Sequence, residues 1–161
     1  MFKSTDLDLN GTFNLLIQGI AGTGKTTLAL HFPRPCIIDA DSNLAGAAPR
    51  LAEEGLQYTW NTPNLDDEKR IIDPEFQPKA RFLRLKEVLK SAFEDQSIDT
   101  VILDSCTAVS EIFLRAIGAD YPSSKASPKD MPKGMEIQHW IPYIQLWENL
   151  LNNCKAYRKR F

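Results

Sequence analysis

The sequence has few of the residues that would indicate a disulfide framework, a metal cluster or a membrane span. It contains two histidines and three cysteines, Cys36, Cys106 and Cys154, in 161 residues. Cysteines so far apart do not match the ligand spacing of a zinc site. Their low, odd number favours reduced thiols and a cytoplasmic location. No apolar run approaches the ~20 residues of a spanning helix, and residues 1–11 lack the apolar core of a signal peptide.

The composition is typical of a soluble globular domain. Hydrophobic residues make up 43% of the chain and charged residues 25%, with a formal net charge of −2. A chain of this length can bury one hydrophobic core, so we predict a single domain over residues 1–161. Two proline-containing polar segments, 62–78 and 119–134, are predicted to be mobile loops.

Short apolar runs alternate with amphipathic segments along the chain. Buried strands are predicted at 12–19, 35–40, 57–61 and 99–105. Helices are predicted at 25–32, 43–55, 79–95, 107–118 and 135–157. Strands that alternate with helices predict an α/β fold with a mainly parallel sheet between helical layers.

Side-chain spacing also predicts which faces of two elements are buried. In the strand 57–61, Tyr58 and Trp60 alternate with smaller residues and are expected on one buried face. Pro142 is expected at or near the first turn of the last helix, where its missing N–H group costs little. The predicted apolar stripe of that helix comprises Ile137, Ile141, Ile144, Trp147, Leu151 and Cys154.

The stretch GIAGTGKT, residues 19–26, matches the phosphate-binding pattern G-x-x-x-x-G-K-[ST] between a predicted strand and a predicted helix. Its glycines permit backbone angles and a close phosphate approach that side chains would block. Lys25 would reach the β- and γ-phosphates, and the Thr26 hydroxyl would ligate Mg²⁺. The motif leaves open whether the nucleotide is ATP or GTP. The predicted nucleotide-binding residues are Gly19, Ala21, Gly22, Thr23, Gly24, Lys25, Thr26 and Thr27.

Acidic residues end two of the later predicted strands. TVILDS, residues 100–105, places Asp104 where a second Mg²⁺ ligand is expected. The alternative is a strand that simply ends in the cap of the next helix. PCIIDADS, residues 35–42, contains Asp39 and Asp41, which are two residues apart and therefore share one face of a strand.

Taken in order, GIAGTGKT, CIIDAD and VILDS resemble the motifs of RecA-like P-loop ATPases over roughly residues 12–157. The resemblance implies a three-layer P-loop NTPase fold, ATP and Mg²⁺ as cofactors, and catalytic roles for Lys25, Asp41 and Asp104. In that family a glutamate at the position of Asp41 aligns the attacking water. Because aspartate is one methylene shorter, hydrolysis here is expected to be slow or to use an extra water. Asp39 would be a turn residue or would support the site.

The resemblance also implies partners. It is closest to phage-type nucleotide-binding ATPases linked to single-strand annealing and recombination. It therefore predicts a single-stranded DNA partner, a homo-oligomer or filament, no membrane, and the cytoplasm of a phage-infected bacterium. Lysines in 119–134 would neutralise DNA phosphates, namely Lys125, Lys129 and Lys133. Two alternatives stay open, a small P-loop phosphotransferase and a nucleotide-binding assembly module with little hydrolysis.

RecA-like folds place a further core strand between the phosphate-loop strand and the strand that ends in the Mg²⁺-binding acid. No apolar run follows the last predicted helix, so the resemblance predicts that this chain lacks that last core strand, as a C-terminally truncated form would. Arg158 and Arg160 are candidates for an arginine finger by position alone. A basic residue from a neighbouring subunit is therefore expected to complete the site.

Overall fold

The computed structural model of the protein describes residues 15–120 and 137–156. The elements, in chain order, are α1 (Lys25–Ala29), β1 (Pro35–Asp39), α2 (Leu44–Glu53), β2 (Thr59–Asn61), α3 (Pro78–Glu94), β3 (Thr100–Asp104), α4 (Cys106–Asp120) and α5 (Ile137–Ala156). Strands and helices alternate, so the predicted α/β class is confirmed.

The three strands of the described residues form a parallel sheet in the order β2-β1-β3. Every residue of the central strand β1 is buried, as expected for an inner strand of a parallel sheet covered on both faces. The register of β1 and β3 sets Asp39 opposite Asp104 at the carboxyl end of both strands. Ligands of open parallel sheets bind at this edge, so the register brings two acidic residues to the place where a site is expected.

Two apolar clusters lie on the two faces of the sheet. Successive side chains of a strand point to opposite faces. Ile38 therefore packs with residues of α3, α4 and α5, such as Leu85, Ile112 and Leu150. Ile37 packs on the other face with Leu51 of α2 and its neighbours. The result is the predicted arrangement of a parallel sheet between helical layers.

The predicted strand 12–19 is wrong for the part that the structure describes. Residues 15–20 have no regular secondary structure, and the side chains of Leu16 and Ile20 are 75% and 79% exposed. An apolar run forms a strand only where a neighbouring backbone pairs with its N–H and C=O groups. A cleft of about 420 Å³ separates residues 15–19 from β3. In the described residues no strand lies on that side of β3, where the resemblance places the missing core strand.

Three smaller predictions need correction. The first helix ends at Ala29 instead of residue 32. Trp60 is 55% exposed, because in the sheet formed by the described residues β2 lies at the edge, with β1 as its one neighbour. Tyr58 is partly buried against the α2 cluster. Pro142 lies inside α5, in its second turn instead of its first.

The segment 62–78 contains several turns and an isolated bridge between Leu65 and Ile71, and its last residue, Pro78, begins α3. Its first residues are not a solvated loop, since Thr62 is buried and Pro63 fully so. Its mobility stays a prediction. Of the segment 119–134, residues 119 and 120 belong to α4, and the rest lies outside the described residues.

The predicted apolar stripe of α5 is correct only in part. Trp147 packs against the core as predicted, whereas Ile141 and Ile144 are 63% and 51% exposed. The face that packs on α3 and α4 also carries the buried Leu150 and the partly buried Tyr143 and Leu146, which the predicted stripe did not include. Apolar residues surround most of this helix, so periodicity alone did not select the buried face. In the part of the chain that the structure covers, no helix combines the length and apolarity needed to cross a bilayer.

The two faces of α5 should respond differently to truncation. Leu150→Ala should lower the free energy of unfolding by about 2–5 kcal/mol, because it leaves a cavity against α3 and α4. The matched change Ile144→Ala removes an exposed side chain and should cost less than about 1 kcal/mol. Urea denaturation followed by circular dichroism measures both values. Equal losses would contradict the packing described for α5.

Candidate functional site

The phosphate-binding loop is held by local geometry that requires glycine. Gly22 and Gly24 have φ angles of 80° and 79°, in the left-handed region that other residues rarely adopt. A Cβ atom at Gly19 would lie 3.0 Å from the Thr23 hydroxyl oxygen. The loop then leads directly into α1, whose N-cap is Gly24. The φ angles account for glycine at positions 22 and 24, and the close contact with Thr23 favours glycine at position 19.

Lys25 lies across its own loop. Its Nζ atom donates hydrogen bonds to the carbonyl oxygens of Gly19 and Ile20 at 2.9 and 2.8 Å. The Thr23 hydroxyl donates to the same Ile20 carbonyl at 2.9 Å. A phosphate group would compete with these carbonyls for the ammonium. We therefore expect nucleotide binding to exchange carbonyl oxygens for phosphate oxygens around Lys25.

The structure brings together the two residues predicted to bind Mg²⁺, although they are far apart in the sequence. The Thr26 hydroxyl donates to Asp104 Oδ2 at 2.7 Å. Both are hard oxygen donors of the kind Mg²⁺ prefers, and neighbouring ligands of an octahedral Mg²⁺ lie roughly 2.9 Å apart. No group of three or more acidic, histidine or cysteine side chains in the described residues could hold a metal ion. A cation here would therefore complete its shell with water and nucleotide phosphates.

Asp39 and Asp41 have different environments. Asp39 is 5% exposed, and its carboxylate accepts the backbone N–H groups of Asn43 at 3.2 Å and Leu44 at 3.4 Å, at the start of α2. Burial raises the pKa of Asp39 to about 6; these hydrogen bonds oppose the rise and the Asp41 carboxylate adds to it. Asp41 is half-buried and accepts the Asn43 N–H at 3.2 Å. Asp39 therefore caps a helix, whereas Asp41 extends past the strand end.

The backbone ties Asp41 to the edge of the sheet where Mg²⁺ is predicted to bind. The Ala40 N–H group donates to the Asp104 carbonyl oxygen at 2.7 Å, which continues the β1–β3 pairing by one residue. Asp41 follows directly. The three predicted catalytic residues thus come from α1, from the end of β1 and from the end of β3, at one edge of the sheet.

Two arginines at this edge were not predicted from the sequence. Arg50 of α2 donates from Nη2 to the Thr27 hydroxyl at 3.0 Å, which connects α2 to the phosphate-loop helix. Arg81 of α3 donates from Nη2 to the Ala40 carbonyl oxygen at 2.8 Å. Neither belongs to a motif, and both are separated from their partners by at least 23 residues. Only the folded chain shows that they reach the site.

The remaining candidates are outside the site or outside the described residues. His31 Nδ1 lies 2.8 Å from the Thr27 carbonyl oxygen, and His139 is fully buried in α5. Trp140 is 49% exposed and lies edge-to-face with Tyr143 at a centroid distance of 5.9 Å. The predicted DNA-contacting residues and arginine-finger candidates lie outside the described residues, namely Lys125, Lys129, Lys133, Arg158 and Arg160.

A family model described as an AAA domain matches residues 12–156. The chain belongs to the AAA domain family. This AAA domain is therefore a P-loop nucleotide-binding ATPase domain, and AAA ATPases generally use ATP and Mg²⁺. Comparisons with curated proteins and with solved structures gave no match. Proteins with such domains use ATP for many different tasks, so the family by itself leaves the task of this chain open.

Removal of the phosphate-loop ammonium should abolish most of the nucleotide affinity. Lys25→Ala should weaken MgATP binding by at least about tenfold, or ~1.4 kcal/mol, because the charge that neutralises the phosphates is lost. Isothermal titration calorimetry measures the affinity. The control is Lys90→Ala, an exposed lysine on α3. Equal losses in both variants would argue against the assigned role of Lys25.

Asp39 should make the protein less stable as the pH rises. Its folded-state pKa of about 6 exceeds the ordinary value of 3.8, so between these values the folded state holds more protons than the unfolded state. The free energy of unfolding should therefore fall by about 1–3 kcal/mol from pH 4 to pH 6.5 and then level off. Denaturation at each pH, in EDTA and without nucleotide, measures this term. In Asp39→Asn it should be absent, and parallel curves for the two proteins would refute the assignment.

Proposed function

We propose that this AAA domain hydrolyses ATP and that its hydrolysis cycle controls binding of an oligomer to single-stranded DNA during annealing or recombination. The observation that carries the hydrolysis part is the junction of β1 and β3. It sets Asp41 one residue beyond a backbone bond to Asp104, while Asp104 accepts the Thr26 hydroxyl at 2.7 Å. A phosphate-neutralising lysine, a pair of Mg²⁺-compatible oxygens and a further carboxylate thus share one edge.

Each residue has a separate task in this proposal. Lys25 neutralises charge on the β- and γ-phosphate oxygens as the bond to the leaving ADP lengthens. Thr26 and Asp104 would hold Mg²⁺, which would orient the phosphates when bound. Asp41 accepts a hydrogen bond from the attacking water and directs its lone pair toward the γ-phosphorus. Water adds to that phosphorus, the bond to the β-phosphate oxygen breaks, and ADP and phosphate leave.

The DNA part of the proposal is supported by the motif resemblance and by the lysines of residues 119–134. Lys125, Lys129 and Lys133 are four residues apart and are interspersed with proline and serine. Contacts from lysines to phosphates supply affinity without sequence preference. This suits a protein that binds single strands of any sequence. Assembly of several copies would let a neighbouring subunit supply an arginine finger, a second basic residue beside Lys25 that the three sequence motifs do not contain.

A nucleotide-binding assembly module with little turnover is the second candidate. The observation that favours it is the Asp41 carboxylate, which accepts the Asn43 N–H of its own turn at 3.2 Å. A carboxylate that is shorter than glutamate and bonded to its own backbone has less reach toward a water. Substitution of Asp41 separates the two candidates.

Asp41→Asn should lower kcat for ATP hydrolysis by about 10²-fold or more, within the range for loss of a positioned acid–base group. The affinity for MgATP should change less than threefold, because Asp41 is not among the predicted nucleotide-binding residues. Asp41→Glu should retain or increase turnover, since it restores the missing methylene. Phosphate release under single-turnover conditions measures the rate. An unchanged, slow rate in Asp41→Asn would favour the assembly module.

Replacement of Lys125, Lys129 and Lys133 by alanine should weaken binding of a labelled oligonucleotide in the presence of MgATP. Loss of about three phosphate contacts should also reduce the slope of log K against log salt by roughly 2 for a single strand. Fluorescence anisotropy at several salt concentrations measures both. The matched control is the triple alanine variant at Lys69, Lys79 and Lys90, which are exposed. Identical slopes in the two variants would contradict the assignment of the loop.

A further inference from the structure

A half-buried arginine of α3 reaches the strand end that carries the proposed water-orienting acid. Arg81 Nη2 donates to the carbonyl oxygen of Ala40 at 2.8 Å, and Ala40 is fully buried between the two aspartates. Arg81 Nε donates to Asn64 Oδ1 at 2.7 Å. The planar guanidinium therefore spans two acceptors with a fixed geometry, which a lysine ammonium does not reproduce.

Asn64 also forms hydrogen bonds to the turn that follows β1. Its Nδ2 atom donates to the Ala40 carbonyl oxygen at 3.1 Å and to the Ser42 hydroxyl oxygen at 2.8 Å. The residues on both sides of Asp41 are therefore fixed by one amide, which Arg81 in turn orients. Ser42 has a φ angle of 63°, a conformation that is uncommon for a residue with a side chain and persists only where its surroundings hold it.

The segment that carries Asn64 is itself bonded to β1. The Thr62 hydroxyl donates to the Asp39 carbonyl oxygen at 2.7 Å, and the Asn64 N–H donates to the Thr62 hydroxyl oxygen at 3.1 Å. The carbonyl groups of two consecutive residues, Asp39 and Ala40, thus have partners in residues 62–64. Buried carbonyl groups need such partners, and these ones also fix the direction in which the chain leaves the strand.

The charged guanidinium of Arg81 is half-buried, and burial of a charge is energetically unfavourable. Burial lowers its pKa and the nearby Arg115 acts in the same direction, whereas Glu111 opposes the change. A guanidinium stays ionised even so. Hydrogen bonds from a charged donor are stronger than those from a neutral one, so the Ala40 carbonyl is held more firmly by Arg81 than by an amide alone.

From these contacts we propose that Arg81, acting through Asn64 and the Ala40 carbonyl, is a positioning residue that sets the place of Asp41 for water alignment. The proposal rests on the proposed ATP hydrolysis and adds a requirement to it. The short aspartate can serve only if its backbone is fixed, because a 1 Å misplacement can cost about 10²-fold in rate. Arg81 touches neither water nor nucleotide in this role.

The matched pair of variants is Arg81→Gln and Arg84→Gln. Arg84 lies one turn further along α3 and also contacts the segment 62–78, with Nη1 2.7 Å from Asp67 Oδ1, but it is not bonded to residues 39–42. Arg81→Gln should lower kcat by about 10–100-fold with less than threefold change in MgATP affinity. The kcat of Arg81→Lys should lie between those of Arg81→Gln and the wild-type protein. Arg84→Gln should keep kcat within about threefold.

Coupling to Asp41 distinguishes a positioning role from a general structural one. If Arg81 acts through Asp41, then Arg81→Gln should lower kcat by less than threefold in the Asp41→Asn background. Losses that multiply in the double variant would overturn the proposal. Hydrogen exchange gives a second readout that does not need turnover. The amides of Asn43 and Leu44 should exchange at least tenfold faster in Arg81→Gln, while those of α4 stay protected.

These readouts separate failure of the inference from failure of the proposed function. Undetectable phosphate release by the wild-type protein, with tight MgATP binding, would overturn the hydrolysis proposal before any variant is compared. Unchanged exchange of Asn43 and Leu44 in Arg81→Gln would overturn the inference whether or not the wild type hydrolyses ATP. Faster exchange with a loss of kcat that depends on Asp41 is the result expected.

Discussion

The parallel pairing of β1 with β3 is the constraint on which the candidate site depends. It sets Asp39 opposite Asp104 and continues through the bond from the Ala40 N–H to the Asp104 carbonyl. This register places Asp104 beside the Thr26 hydroxyl of α1. A shift of one residue would turn Asp104 to the other face of the sheet and away from the Thr26 hydroxyl.

The end of β1 and the turn after it carry two carboxylates, Asp39 and Asp41, in different surroundings. Asp39 is buried and bonded to the first amides of α2, so its charge is partly compensated by the helix N-terminus. Asp41 remains at the edge. The Ala40 carbonyl oxygen accepts hydrogen bonds from Arg81 and Asn64, and the Asp39 carbonyl oxygen accepts one from Thr62. The two carboxylates and the carbonyl groups of Asp39 and Ala40 thus all accept hydrogen bonds, and a site that depends on accurate distances needs this kind of support.

Much of the fold and part of the site could be predicted from the sequence. Strand β3, for example, is a short apolar run that ends in Asp104, and a strand there follows from local pattern alone. The segment 15–19 has an equally apolar pattern but forms no strand, because strand formation needs a partner backbone, and the described residues supply none beside it. Helix α5 shows the same limit. Ile144 and Leu150 are equally apolar, and only contact with α3 and α4 buries one of them.

The sequence by itself determined the phosphate loop, because backbone angles at Gly22 and Gly24 and the chemistry of Lys25 are local properties that a short motif encodes. It also determined which strands end in acids. Tertiary structure alone decided that Asp39 caps a helix while Asp41 stays at the edge, and that Arg81 holds the chain between them. The physical reason is that burial and hydrogen-bond partners come from residues far away in the sequence, 41 positions for Arg81 and Ala40 and 78 for Thr26 and Asp104, and no local pattern specifies which of them will meet.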